Sequence, residues 1–250
     1  MQPYLATTVN GLSNRLKNLI SVLRLCDKSK STFIELNDIF ENDFVKLDDS
    51  LQYIPLCTWR ILVSDFDIEI PDNFNKATLD LPERHIKCRD VDSEYDRIPI
   101  IFRKKILLIL ESFLIKKQII DIVDDFKLKN ITGVHIRTWQ STYHTEYEDW
   151  SQFLRSKSSN NYLVNFEKLL ADSDQKVFLA CDDFKFKLYL KNKYSNLITY
   201  DRVNTLSNIQ NDFIDMLLLS KCNVLHGTRL STFTEMSWWF SKCNQTVILS

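Results

Sequence analysis

Beyond residue 130 the sequence repeats one pattern four times, a short apolar, β-branched run followed by an amphipathic stretch about three turns long, and closes on a fifth such run. The strand-like runs fall at 131–136, 176–180, 197–200, 223–226 and 246–249, and the helical stretches between them at 160–171, 184–193, 208–221 and 231–241. Strands separated by helices of that length run parallel, because a tight hairpin cannot join them. A parallel sheet must then be covered on both faces, which makes this half of the chain α/β and Rossmann-like. The N-terminal half opens the same way, with a strand at 4–9, a turn at Asn10-Gly11, a helix from Ser13 to about Cys26 and a strand at 32–36. Between 37 and 100 the pattern is broken by scattered aspartates and by Pro55, Pro71, Pro82 and Pro99, and a helix is expected again over 100–126. The expectation is two compact halves sharing a cleft, 1–128 and 129–250, each built around a parallel sheet, with the N-terminal one reduced.

Glycine singles out positions within that frame. The chain has three glycines where average usage of about 7% would give roughly 17. Gly11, Gly133 and Gly227 lie beside Asn14-Arg15, His135-Arg137 and His226-Arg229. Each is expected to mark a backbone with positive φ or one that a ligand approaches closely.

Ligands of open parallel sheets bind outside the carboxyl ends of the strands, so residues that follow each strand carry the chemistry. The clusters there are Gly11-Leu12-Ser13-Asn14-Arg15, His135-Ile136-Arg137, Asp182-Asp183, and Gly227-Thr228-Arg229-Leu230-Ser231-Thr232. The last precedes a long helix that Ser231 or Thr232 would cap, leaving amide N–H groups and the positive dipole end to face the crevice as a phosphate site. Thr232 and Glu235 have capping-box spacing, so a capped helix without a ligand is the competing reading. Arg137 can clamp a diphosphate through paired, charge-assisted hydrogen bonds, or it can form a structural ion pair with a nearby aspartate. Asp182 and Asp183 can meet a ribose or base edge, cap the next helix, or divide the two tasks.

The order and content of these clusters resemble the fucosyltransferase superfamily, which includes the protein O-fucosyltransferases, the α-1,6-fucosyltransferases and the nodulation fucosyltransferases. Gly11-Leu12-Ser13-Asn14-Arg15 is similar to the family's N-terminal G-x-x-N-R turn and His135-Ile136-Arg137 to its H-x-R motif. Leu179-Ala180-Cys181-Asp182-Asp183 is similar to its aspartate-ended strand, Ser231-Thr232-Phe233-Thr234-Glu235 to its S-T-F-S-E helix start, and Asp215-Met216-Leu217-Leu218-Leu219-Ser220 to the helix that precedes that last motif. The resemblance implies a GT-B-like fold, a GDP-sugar donor held mainly by the C-terminal lobe, and metal-independent, inverting transfer to a hydroxyl of a glycan acceptor. It implies that Gly11, Asn14, Arg15, His135, Arg137, Asp182, Asp183, Arg229, Ser231, Thr232 and Phe233 are the donor-binding set. Within it, His135 and one of the aspartates approach the nucleoside, Arg137 the diphosphate, and Ser231, Thr232 and Phe233 the phosphate cradle. The acidic residue of the family's H-x-R-R-T-D form is replaced here, where the run is His135-Ile136-Arg137-Thr138-Trp139-Gln140, and the donor sugar stays open.

Departure of a sugar from a diphosphate leaves negative charge that fixed cations can stabilise, a role suited to Arg137. The acceptor hydroxyl needs a base, and Glu146 is the first candidate, with Glu148 and Asp149 in reserve on the same acidic loop. The four histidines are far apart with no zinc-ligand spacing, and no G-x-x-x-x-G-K-[ST] run occurs. The 32 basic and 33 acidic residues nearly cancel, which gives no footprint for nucleic acid. No apolar run is long enough to span a bilayer, and six cysteines without CxxC spacing are expected to be reduced thiols of a cytoplasmic protein. The rival readings are a glycosyltransferase with a different donor, a non-catalytic nucleotide-sugar-binding module, and a structural α/β protein.

Overall fold

The computed structural model describes residues 5–6, 11–13, 15–16, 20, 38–41, 53–54, 100–128, 130–138, 162–172, 175–228 and 231–249. They belong to two compact units, 1–124 with 205–213, and 125–204 with 214–250. The expected strand at 32–36 lies outside the described residues.

In the first unit, β1 (Leu5–Ala6) pairs in parallel with β2 (Tyr53–Ile54). A helix follows β1, opened by the Arg15 N–H donating to the Gly11 carbonyl at 3.3 Å. Leu12, Leu16 and Ile20, four residues apart on one helical face, are buried. The single helix expected over 100–126 is instead two, α1 (Ile100–Glu111) and α2 (Lys117–Asp125). The segment between them pairs with another strand-like piece: Ile115 bridges Phe40 in antiparallel fashion. The Glu41 N–H donates to the Leu114 carbonyl at 2.6 Å and the Lys116 N–H to the Ile39 carbonyl at 3.0 Å. Phe40 also packs on Phe113 at 4.8 Å and Phe213 at 5.5 Å between ring centroids. Apolar residues continue through the break, so periodicity alone does not reveal it.

The second unit holds a five-stranded parallel sheet, β3 (Thr132–Ile136), β4 (Val177–Cys181), β5 (Leu197–Thr199), β6 (Val224–Gly227) and β7 (Thr246–Leu249), in the order β5-β4-β3-β6-β7. Its helices are α3 (Tyr162–Asp172), α4 (Phe184–Lys193), α6 (Thr232–Phe240) and, from Ile214 on, α5 (Asn208–Ser220), whose first residues belong to the first unit. All four strand pairings are parallel. From β3 the chain steps outward through β4 to β5, then returns to the other side of β3 to lay down β6 and β7. The winding therefore reverses between β3 and β6, and the crevice at the carboxyl ends of those two strands is where an open sheet receives its ligand. Val134, Ile136, Val177 and Leu179 bury one face of the sheet against Phe166, Leu170 and Leu190 of the helices. On the other face Phe178 meets Phe126 edge-on, 6.3 Å between centroids.

The glycines correct the expectation placed on them. None has positive φ, whereas Asn130, Lys242 and Cys243 do, at 64°, 58° and 61°. At Gly133 an added Cβ would lie 3.1 Å from the Cβ of Cys222, and at Gly227 it would overlap the Thr234 side chain. Both glycines thus permit a close approach, but by a helix rather than by a ligand; Gly11 has open space around it. Two of the left-handed residues, Lys242 and Cys243, close α6: the Lys242 N–H donates to the Trp239 carbonyl at 3.0 Å and the Cys243 N–H to the Trp238 carbonyl at 3.1 Å. These are the paired bonds of a Schellman motif, with lysine where glycine is usual. Among the described residues no helix is long and apolar enough to cross a membrane.

Candidate functional site

The site is assembled around the end of β3. The β3–β6 ladder closes with His135 opposite Gly227, and β3–β4 with Ile136 opposite Cys181. The next residues on all three strands converge. Thr228, fully buried, donates its hydroxyl to the His135 carbonyl at 3.1 Å, and its oxygen accepts the Arg137 N–H at 2.8 Å. From the β4 side, one oxygen of Asp182 accepts both the N–H and the hydroxyl of Thr138, at 2.8 and 3.1 Å. The other Asp182 oxygen lies 3.0 Å from Nη1 of Arg137 in an ion pair whose side chains keep 27% and 12% of their surface exposed. That exposure leaves part of the Arg137 side chain open to solvent.

The two aspartates divide their tasks. Asp183 takes extended backbone angles at the N-cap of α4, and its carboxylate accepts the Phe186 N–H at 3.0 Å. Asp182 binds Arg137 and Thr138 instead. Behind it, the pKa of the Cys181 thiol is pushed up to about 12, by burial first and by the charge of Asp182 second, which favours its protonated form.

Helix α6 supplies the other wall. Ser231 is its N-cap residue, with φ −83° and ψ 115°, yet its buried hydroxyl makes no capping hydrogen bond. A Thr232–Glu235 capping box would need Thr232 at the N-cap, but Thr232 is already the first helical residue. Glu235 is buried and accepts the Trp239 indole N–H at 3.3 Å. The start of α6 is therefore uncapped by these side chains, the arrangement that suits an anion at a helix N-terminus. Phe233 stacks on the His135 ring at 4.8 Å and 24°, and Nδ1 of the buried His135 is 2.8 Å from the Thr234 hydroxyl. Gly227 makes that contact possible, since a side chain there would displace Thr234.

His135, Arg137, Asp182, Asp183, Ser231, Thr232 and Phe233 thus lie on the strand ends and the helix start that surround the switch point. Gly11 and Arg15 belong to the first unit, where Gly11 is exposed and Arg15 half-buried. Asn14, Arg229 and Glu146, with Glu148 and Asp149, lie outside the described residues. Three threonines were not anticipated: Thr138, Thr228 and Thr234 hold the motif residues in place. Each adjoins or lies within a motif, the one sequence signal that could have found them. On the neighbouring helix α4, Lys187 is buried, donates to the Tyr200 carbonyl at 2.8 Å and lies 3.7 Å from Asp215. Among the described residues no group of three or more His, Cys, Asp or Glu could hold a metal ion.

No family model and no curated protein matches the chain. Solved structures do. NodZ α-1,6-fucosyltransferase co-crystallized with GDP matches with a TM-score of 0.51 and 16% identity, over 95% of this chain and 92% of that one. The same enzyme soaked with GDP-fucose gives 0.52 and 16%, over 96% and 93%. The selenomethionine form of fucosyltransferase NodZ from Bradyrhizobium gives 0.51 and 17%, over 95% and 91%. The likeness is one of fold.

Proposed function

We propose that the chain is a glycosyltransferase that takes a sugar from a GDP-sugar donor, L-fucose from GDP-fucose in the first instance. It transfers that sugar, with inversion and without a metal, to a hydroxyl of a glycan acceptor. The observation that carries the reading is the meeting of Arg137, His135 stacked on Phe233, and the uncapped start of α6 at the switch point of a parallel sheet. The fold shared with NodZ, solved with GDP and with GDP-fucose, supports it. In this reading the two units are the lobes of a GT-B enzyme. The second unit holds the donor through the residues at the end of β3 and the start of α6.

The chemistry follows from charge. When the bond between sugar and phosphate lengthens, negative charge grows on the diphosphate and oxocarbenium character on the sugar. Arg137, together with the amide N–H groups of α6 and the Ser231 hydroxyl, stabilises the former without having to reorganise. Asp182 keeps the guanidinium at the strand end before the donor arrives. Glu146 takes the acceptor proton.

The test is a thermal-shift comparison of GDP, UDP, CMP and ADP in the absence of divalent cations. A ligand that binds only the folded protein stabilises it by RT ln(1 + [L]/Kd). GDP is expected to give the largest shift. A preference for UDP or a strict metal requirement moves the chain to another donor class, and no shift with any nucleotide overturns the reading.

A further inference from the structure

We propose that Thr228 is a positioning residue that sets the reach of Arg137 toward the diphosphate; the proposal rests on the reading of Arg137 given above. The paired ladder of β3 and β6 ends at His135 and Gly227. One residue further the strands would be free to part, but Thr228 extends the pairing with its side chain. Its N–H and its hydroxyl both donate to the His135 carbonyl, each at 3.1 Å, and its oxygen accepts the Arg137 N–H at 2.8 Å. The hydroxyl therefore serves as donor and acceptor at once, which is how a fully buried hydroxyl avoids the cost of lost hydration. On the opposite side Asp182 holds the amide N–H of Thr138.

The amides before and after the Cα of Arg137 are thus fixed by two different strands. This fixes the direction in which a long side chain leaves the backbone, and a small rotation there is magnified at the guanidinium. Misplacement of a charged group by about 1 Å is enough to cost on the order of 10²-fold in rate. Valine has nearly the shape of threonine and fills the same space, so the hydroxyl's contribution can be separated from the packing.

The experiment is calorimetric titration of GDP, GMP and guanosine, without divalent cations, into wild type, Thr228→Val, Thr228→Ser and Arg137→Lys. Wild type is expected to prefer GDP to GMP. Thr228→Val should weaken GDP about tenfold or more while leaving guanosine within about threefold, because only the phosphates depend on the placement of Arg137. Thr228→Ser keeps the hydroxyl and should hold GDP within about threefold of wild type. The double variant Thr228→Val/Arg137→Lys should lose no more GDP affinity than Arg137→Lys alone, as two residues acting through one contact do. If Thr228→Val weakens GDP and guanosine alike, or neither, the proposal fails. Should Thr228→Val not remain folded, Thr228→Ala removes the same hydroxyl and must give the same selective loss of GDP. A GDP-over-GMP preference that responds to Arg137→Lys but not to loss of the Thr228 hydroxyl overturns the role of Thr228 alone. If wild type binds no GDP, or Arg137→Lys leaves the preference intact, the reading of Arg137 falls first.

Discussion

Arg137 has the carboxylate partner of the ion-pair reading and keeps part of its side chain exposed, which the proposed clamp requires. Replacing it with lysine separates the two roles, because lysine keeps the charge that Asp182 needs but loses the planar fork. As a clamp, Arg137→Lys should lower kcat by about 10²-fold or more, a loss of about 2.7 to 4 kcal/mol of transition-state stabilisation, with a nearly unchanged melting temperature. As a purely structural pair it should give the reverse, a lower melting temperature with turnover preserved in the folded fraction. GDP release kinetics and thermal melts on the same samples decide between them. The places of Arg137, Asp182 and Asp183 were legible because each follows a strand that periodicity reveals. Their supporting hydroxyls were not, since the partner of the Arg137 amide comes from 91 residues away and no local pattern encodes it.

At the level of elements, the C-terminal strands and helices fall within a residue or two of where apolar spacing places them, because each is covered by the core that its own spacing predicts. The break between α1 and α2 was invisible for the opposite reason, as its cause is pairing with Phe40 and not anything within the segment. Glycine was read correctly as exceptional but for the wrong conformation. The chain places lysine, not glycine, in the left-handed position that closes α6. An L-residue there costs about 1 to 2 kcal/mol relative to right-handed backbone, and glycine avoids most of this while losing more entropy on folding. Lys242→Gly should therefore stabilise the protein by about 0.5 to 1 kcal/mol in urea unfolding, with an unchanged m-value.

For the whole molecule, two thiols give folding a dependence on alkaline pH. Burial pushes Cys222 up to about 12, and burial with the nearby Asp182 does the same to Cys181, from an ordinary value of 9.0. Below pH 9 both thiols keep their protons whether the chain is folded or not, and their contribution is complete. Between pH 9 and about 12 the unfolded chain releases protons that the folded one retains, so stability falls as pH rises, by up to about 1.4 kcal/mol per pH unit for each thiol. Urea midpoints at pH 8, 9 and 10 should fall less steeply for Cys222→Ala than for wild type; identical slopes would show that the thiol takes no part. The seam where Thr234 of α6 lies against Gly227 has a different kind of consequence. The spacing that packs this helix on its sheet also sets the partners of the His135 ring, Thr234 and Phe233, so one dimension governs both cohesion and the face that His135 presents. Under the proposed function, selection for a sturdier protein at this seam acts on nucleotide preference as well, and a change in that preference arising here would carry a shift in melting temperature with it.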